Sequence, residues 1–318
     1  MKETMRKLSR RRFLQCLAVC TAAGVLTACN TSNSESAAPT EEPTPESSIE
    51  PFMSASDYPV VDGSTACIPL MAQMMADVLG MDAEAAKSTI NVSTTAYAWE
   101  RMGVWGDDQC QLLVVYEAPE YVKEEIANGG EKLEQKPIGR DALVFIVNEG
   151  NPVQNLTQQQ LLDIYAGTIT NWKDVGGEDA EIVAFQRGED SGSQTLFKKL
   201  LIKDNPLMEA PTELAPAEMG GLIDSVASYN NSANAIGFSV YYYVDQMYSQ
   251  PGLRLLSVDG VMPSNETLAD NSYPLCNEFY AVVRESAAAD SAERILYDWL
   301  STEDGISCIE KAGYVAVK

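Results

Sequence analysis

The chain has 318 residues, 22 basic against 46 acidic, and no histidine, for a formal charge of −24. Such an excess of carboxylates excludes nucleic-acid binding by phosphate neutralisation, which needs clustered Lys and Arg. The missing histidine excludes imidazole acid–base catalysis, the usual hydrolase triads and nearly all zinc hydrolase sites.

Lys2, Arg6, Lys7 and Arg10-Arg11-Arg12 form a basic n-region ahead of a short apolar stretch from Phe13 to about Thr27. That stretch is too short and too interrupted for a membrane span and reads as a signal sequence over residues 1–28. Leu26-Thr27-Ala28-Cys29 resembles a lipobox, in which Cys29 is lipidated and becomes the mature N-terminus. Ser9-Arg10-Arg11-Arg12-Phe13-Leu14-Gln15 fits a twin-arginine signal and an ordinary basic n-region equally. Residues 29–54 then read as a lipidated Cys29 followed by a tether of Ser, Thr, Pro, Glu and Ala. Such a composition buries too little apolar surface to offset its chain entropy.

About 260 residues remain, more than one core usually serves, which predicts two lobes. Tyr58–Asp62 reads as a strand, and Gly63-Ser64-Thr65 opens a helix with Ile68, Met71, Met75, Val78 and Leu79 at helical spacing. Gln111–Tyr116 and Asp141–Val147 are compact apolar strands. Thr157-Gln158-Gln159-Gln160 is a capping box for a helix that stops at Gly167. A strand over Glu181–Phe185 precedes a helix over Ser191–Leu201. Ala235–Tyr243, Leu253–Val258 and Phe279–Val283 read as extended, and Ala287–Leu300 and Glu303–Lys311 as closing helices. The alternation predicts an α/β fold. Of seven cysteines, Cys16 and Cys20 fall in the signal and Cys29 is the anchor. Cys67, Cys110, Cys276 and Cys308 match no metal spacing and leave open one or two disulfides or buried thiols.

Arg187-Gly188-Glu189-Asp190-Ser191-Gly192-Ser193 follows an apolar strand and starts a helix. Unpaired N–H groups and a partial positive charge suit such a terminus to an anion. Gly192 permits close backbone approach, Ser191 and Ser193 add hydroxyls, and Arg187 supplies a planar fork. Asp62-Gly63-Ser64-Thr65 and Ser93-Thr94-Thr95-Ala96 repeat the pattern of hydroxyls at a helix start. Each alone is more often a cap than a site, but three could converge in a crevice.

Lys136-Pro137-Ile138-Gly139-Arg140-Asp141 through Asn155-Leu156-Thr157 resembles the phosphate-binding subunits of ABC importers, the PstS type. So do Ile164-Tyr165-Ala166-Gly167, Ile169-Thr170-Asn171-Trp172, Val175-Gly176-Gly177, Arg187–Ser193, Ala235-Ile236-Gly237-Phe238, Tyr273-Pro274-Leu275 and Ala312-Gly313-Tyr314-Val315. The resemblance implies an α/β, two-lobed clamshell of the class II periplasmic-binding-protein type. Chain crossings near Gly139–Val147 and Tyr273–Val283 would give lobe I as 55–139 plus 273–318 and lobe II as 140–272. It further implies a ligand set of Arg187, Ser191, Gly192, Ser193, Ser64, Thr65, the backbone of Ala66, and Thr95, with Thr94 the alternative.

Family members often carry an Asp after the next strand that accepts the proton of phosphate. Here that position is Glu117, one carbon longer. A carboxylate there would favour protonated phosphate over sulfate, since a site built around a ligand proton rejects an analogue lacking it. The implied function is a monomeric lipoprotein, on the extracytoplasmic face of the membrane, that hands inorganic phosphate to ABC permease subunits without catalysis, metal or cofactor. Sulfate, molybdate or tungstate binding, a sensor or adhesin role, or a phosphatase on the same scaffold are the alternatives. The acidic surface is no obstacle: its field is screened over about 8 Å at physiological salt. Hydrogen bonds to a charged ligand contribute roughly 1.5–3 kcal/mol each.

Overall fold

A computed structural model describes residues 49–210, 214–216, 219–228 and 232–317. The segment read as a signal sequence, Cys29 and most of the expected tether lie outside these described residues, and no described helix is long and apolar enough to cross a membrane. The first strand, β1 (Val61–Gly63), is shorter than Tyr58–Asp62. It pairs in parallel with β2 (Leu112–Val115), whose four apolar residues are all buried, as a strand covered on both faces requires. Between them lie α1 (Ile68–Leu79), α2 (Ala83–Lys87) and α3 (Thr95–Trp99). A 3₁₀ turn over Thr65–Cys67 leads into α1, and a π-turn over Glu100–Val104 prolongs α3. Gly80 closes α1 in the left-handed conformation that a glycine takes without steric cost.

After α4 (Glu120–Ala127) comes the longest strand, β3 (Leu133–Asn148), more than twice the length read from Asp141–Val147. Pro137 and Gly139 hide its first half from a reading by composition. The strand accommodates them with a register shift between those two residues. Next come β4 (Asn155–Leu156), α5 (Gln158–Tyr165), β5 (Val183–Ala184), α6 (Gly192–Phe197), α7 (Met219–Ser228) and β6 (Ala235–Val240). The chain ends through β7 (Leu253–Leu255), β8 (Ser257–Val258), α8 (Asn265–Ala269), β9 (Cys276–Arg284), α9 (Ala292–Trp299), α10 (Glu303–Lys311) and β10 (Val315–Ala316).

The main sheet runs β1-β2-β9-β3-β6-β5, with β7 and β10 also on β3, while β4 and β8 pair separately. Its organising strand is β3. Leu133–Ala142 pair antiparallel with β9, and Leu143–Val147 pair antiparallel with β6. One hydrophobic cluster joins α1, α9 and α10 to the β2 and β9 side of the sheet. A second surrounds Phe145, Tyr165, Phe197 and Phe238, with the last two rings stacked at 4.2 Å. That stack seats the C-terminal end of α6. Ser47–Lys318 fall in one compact unit.

The predicted capping box is present: Gln160 N donates to Thr157 Oγ1 at 3.1 Å and Thr157 N to Gln160 Oε1 at 2.9 Å. Two further boundaries depart from the sequence reading in a way that bears on the core. Extension from Ala235 ends at Val240, and Tyr241-Tyr242 turn helical, with the Tyr242 N–H donating to the buried Asp141 carboxylate at 3.1 Å. The helix read from Ala287 starts at Ala292, since residues 287–291 form turns with Ser291 as the extended N-cap. Cys67, Cys110 and Cys308 are buried free thiols and Cys276 is a half-buried one.

Candidate functional site

β1 ends in a glycine because its neighbour leaves no room. A β-carbon on Gly63 would collide with the Val114 carbonyl and the Met71 side chain. This close approach lets Ser64 N donate to Val114 O at 3.2 Å and places Ser64 Oγ to accept from Tyr116 N at 3.0 Å. Ser64 Oγ also meets Thr95 Oγ1 at 2.8 Å, so the first two hydroxyl-bearing helix starts are bonded to each other. Both side chains are buried. Thr94, just before α3, has φ 78°, a conformation a β-branched residue adopts only where its surroundings impose it.

The third helix start arrives from the far side of β3. Gly192 packs directly on Thr95, whose hydroxyl and β-carbon fill the space a side chain would need. Ser191 Oγ and Ser193 Oγ lie 3.0 Å apart. Arg187 is 8% exposed; its backbone N–H donates to Gln194 Oε1 at 3.1 Å and its Nε to Pro216 O at 3.0 Å, which fixes the guanidinium plane.

These groups share one cavity of about 700 Å³. Ser64, Thr65, Thr94, Thr95, Arg187, Ser191, Gly192 and Ser193 all lie on its wall, so both threonine alternatives do. Two predicted residues do not. Ala66 is fully buried off the wall, and its carbonyl accepts from Tyr314 Oη at 2.5 Å. Glu117 is the larger correction. Tyr116 faces the cavity, and alternation along extended backbone turns the next side chain away. The Glu117 carboxylate instead pairs with Lys123 at 2.5 Å and with Lys199, beside a separate cavity of about 500 Å³. Burial alone would raise its pKa, but hydrogen bonds from the two ammonium groups hold it below the usual carboxylate range.

The carboxylates that do line the site are Asp190, accepting from Tyr121 Oη at 2.7 Å, and Asp224, accepting from Tyr248 Oη at 2.9 Å and Gln250 Nε2 at 3.1 Å. Asp190 lies inside the Arg187–Ser193 segment without having drawn a role. Asp224 sits on α7, behind Met219-Gly220-Gly221, another glycine-bearing helix start that the same anion-loop logic could have flagged. Tyr97, Tyr116, Tyr243 and Tyr248 complete much of the wall, and no sequence pattern marks them.

Tyr116 Oη donates to the fully buried Asp141 on β3. Desolvation pushes that carboxyl up to about 6, against the hydrogen bonds it receives, and burial with the nearby Asp141 charge pushes the Tyr116 phenol well up. Chemically, the cavity wall offers hydroxyls, a guanidinium and helix-start N–H groups together with carboxylates and phenols. Among the described residues, no three His, Cys, Asp or Glu side chains come together as metal ligands.

A model of the PBP superfamily domain matches residues 34–301. The chain belongs to this superfamily. Among curated PBP relatives, the phosphate-binding protein PstS of Borreliella burgdorferi is 28% identical over 200 residues, spanning 62% of this chain and 69% of that one. PstS of Bacillus subtilis is 26% identical over 172 residues, and the match spans about half of each protein, 54% and 53%. A Clostridium perfringens structure, described as a candidate phosphate ABC transporter substrate-binding protein with bound phosphate, is 25% identical. It covers 81% of this chain and 98% of its own, with a TM-score of 0.62. The two-lobed α/β architecture expected from sequence is therefore the PBP fold.

Proposed function

We propose that this chain captures inorganic phosphate in the Arg187 cavity and delivers it to the permease of an ABC importer, as a binding protein without turnover. The observation that carries this reading is the convergence of Ser64, Thr95 and Ser191–Ser193 with Arg187 on one cavity, in a chain whose curated relatives are named phosphate-binding proteins. Charge-assisted hydrogen bonds contribute roughly 1.5–3 kcal/mol each, so four or five of them outweigh the diffuse repulsion of an acidic surface. Asp190 and Asp224 take the place foreseen for Glu117: a carboxylate facing the ligand accepts a proton that phosphate carries and sulfate lacks.

In this reading lobe I comprises residues 55–139 plus 273–318 and lobe II residues 140–272, with β3 and β9 as the crossings. Closure about them buries the ligand. Cys29 carries the lipid that holds a monomer on the extracytoplasmic face of the membrane; Cys29→Ser should move the chain from the membrane to the soluble fraction.

Calorimetric titration of the full-length chain with orthophosphate and sulfate tests the central claim. Saturable heat with phosphate and none with sulfate is expected. Absence of phosphate binding would sink the function, and equal binding of both ions would sink the selectivity.

A further inference from the structure

Asp62, in the middle of β1, is 1% exposed and does not touch the cavity, yet four donors converge on it. Its Oδ1 accepts from Gly63 N at 2.7 Å and from Ser93 N at 2.7 Å. Its Oδ2 accepts from Ser93 Oγ at 2.7 Å and from Arg101 at 2.5 Å. Arg101, on the π-turn after α3, also donates to Ser93 Oγ at 3.0 Å and through Nε to Asp107 at 2.9 Å. A buried carboxylate is tolerable only when paired and fully hydrogen-bonded, as this one is.

The placement of these bonds relates them to the ligand site. Gly63 immediately precedes Ser64, and Ser93 is two residues before Thr95. Asp62 therefore clamps both segments just outside the Ser64–Thr95 hydroxyl pair, and the left-handed Thr94 lies between the clamp and the site. Arg101 closes the clamp from the far end of the same helical segment. We infer that Asp62, Ser93 and Arg101 are positioning residues for the oxyanion site: they hold the Thr94–Thr95 segment and Ser64 in the geometry that presents their hydroxyls and N–H groups to the ligand.

The inference rests on the phosphate reading for its affinity readout, and a second readout is independent of it. Asp62→Asn would turn an amide donor toward Arg101 and Ser93 inside the protein, so Ser93→Ala and Arg101→Ala, at the half-buried edge of the clamp, carry the test. In the full-length chain both should leave a cooperative unfolding transition and weaken phosphate binding by about tenfold or more, the scale on which a displaced binding group acts. Arg101→Lys should recover most of what Arg101→Ala loses. Without ligand, hydrogen exchange at the Thr94–Ala96 amides should be faster in Ser93→Ala and Arg101→Ala than in the parent. Folded variants with parental affinity overturn the inference, as does an Arg101→Lys no better than Arg101→Ala. If the parent binds no phosphate, the function fails, and unchanged exchange at Thr94–Ala96 then overturns the clamp separately.

Discussion

The Thr95 side chain occupies the space that a β-carbon on Gly192 would need. Two helix starts, 97 positions apart in the chain numbering of these residues, thus meet with only the Thr95 side chain between them, and this contact brings their donors into one cavity. Gly192→Ala should push them apart, lowering stability by about 1–3 kcal/mol, as overpacking does, and weakening phosphate binding about tenfold or more because the donors are displaced from the ligand. Thr95→Ala removes the hydroxyl that collides first. In the double variant the stability losses should be less than additive, while binding stays weak because a hydroxyl has gone. Urea unfolding and calorimetry of the four proteins measure both; strict additivity in stability would refute the contact.

Much of this site was legible because its donors sit where backbone chemistry is written locally. Glycine, hydroxyl and helix start occur together at Ser64, Thr95 and Ser191–Ser193, and Arg187 completes the last segment. Glu117 was misplaced because its side depends on one alternation beyond β2 and on two lysines, one of them 82 positions away. The tyrosines of the wall come from elements whose meeting only the folded sheet determines. The same holds for the fold: buried apolar runs such as Leu143–Val147 reveal their strand, whereas Leu133–Arg140, interrupted by Pro137 and Gly139, takes its extension from β9.

Glu117→Gln should leave the phosphate dissociation constant within about twofold, since its carboxylate faces Lys123 and Lys199 beside a separate cavity and not the ligand site. Asp190→Asn and Asp224→Asn, in contrast, should narrow the gap between phosphate and sulfate, because an amide can donate to a fully ionised ligand where a carboxylate repels it. Competition titrations with both anions report this. Loss of discrimination in Glu117→Gln, with none in the two Asp variants, would return the selectivity role to Glu117.

Arg187→Lys keeps the charge but replaces a planar fork with a single ammonium. The guanidinium is oriented through Nε by the Pro216 carbonyl, and a lysine has no group to hold there. Phosphate affinity should fall about 10- to 100-fold, about 1.4–2.7 kcal/mol at 25 °C, with the melting temperature of the ligand-free protein little changed. A variant that binds like the parent would show that the charge alone matters at this position.

Asp141 gives the fold a pH dependence whose sign can be worked out. Its carboxyl rises from 3.8 to about 6 because burial outweighs the bonds from Tyr116 Oη, Ala142 N and Tyr242 N. A raised folded-state value means that the native chain holds a proton which the unfolded chain has released between those two pH values. The stabilisation is therefore complete below about pH 4 and is lost as pH rises through 6, a change of about 3 kcal/mol. In Asp141→Asn the amide oxygen can keep both backbone bonds and the amide nitrogen can donate to Tyr116 Oη, so the fold should survive without this titration. Between pH 4 and pH 7 the variant should gain roughly 2–2.5 kcal/mol relative to the parent, most of that change. Urea unfolding of both proteins at the two pH values isolates the effect, since the other carboxylates are common to both. A stability difference that is the same at pH 4 and pH 7 would mean that Asp141 stays ionised in the folded protein, held by its three hydrogen-bond donors.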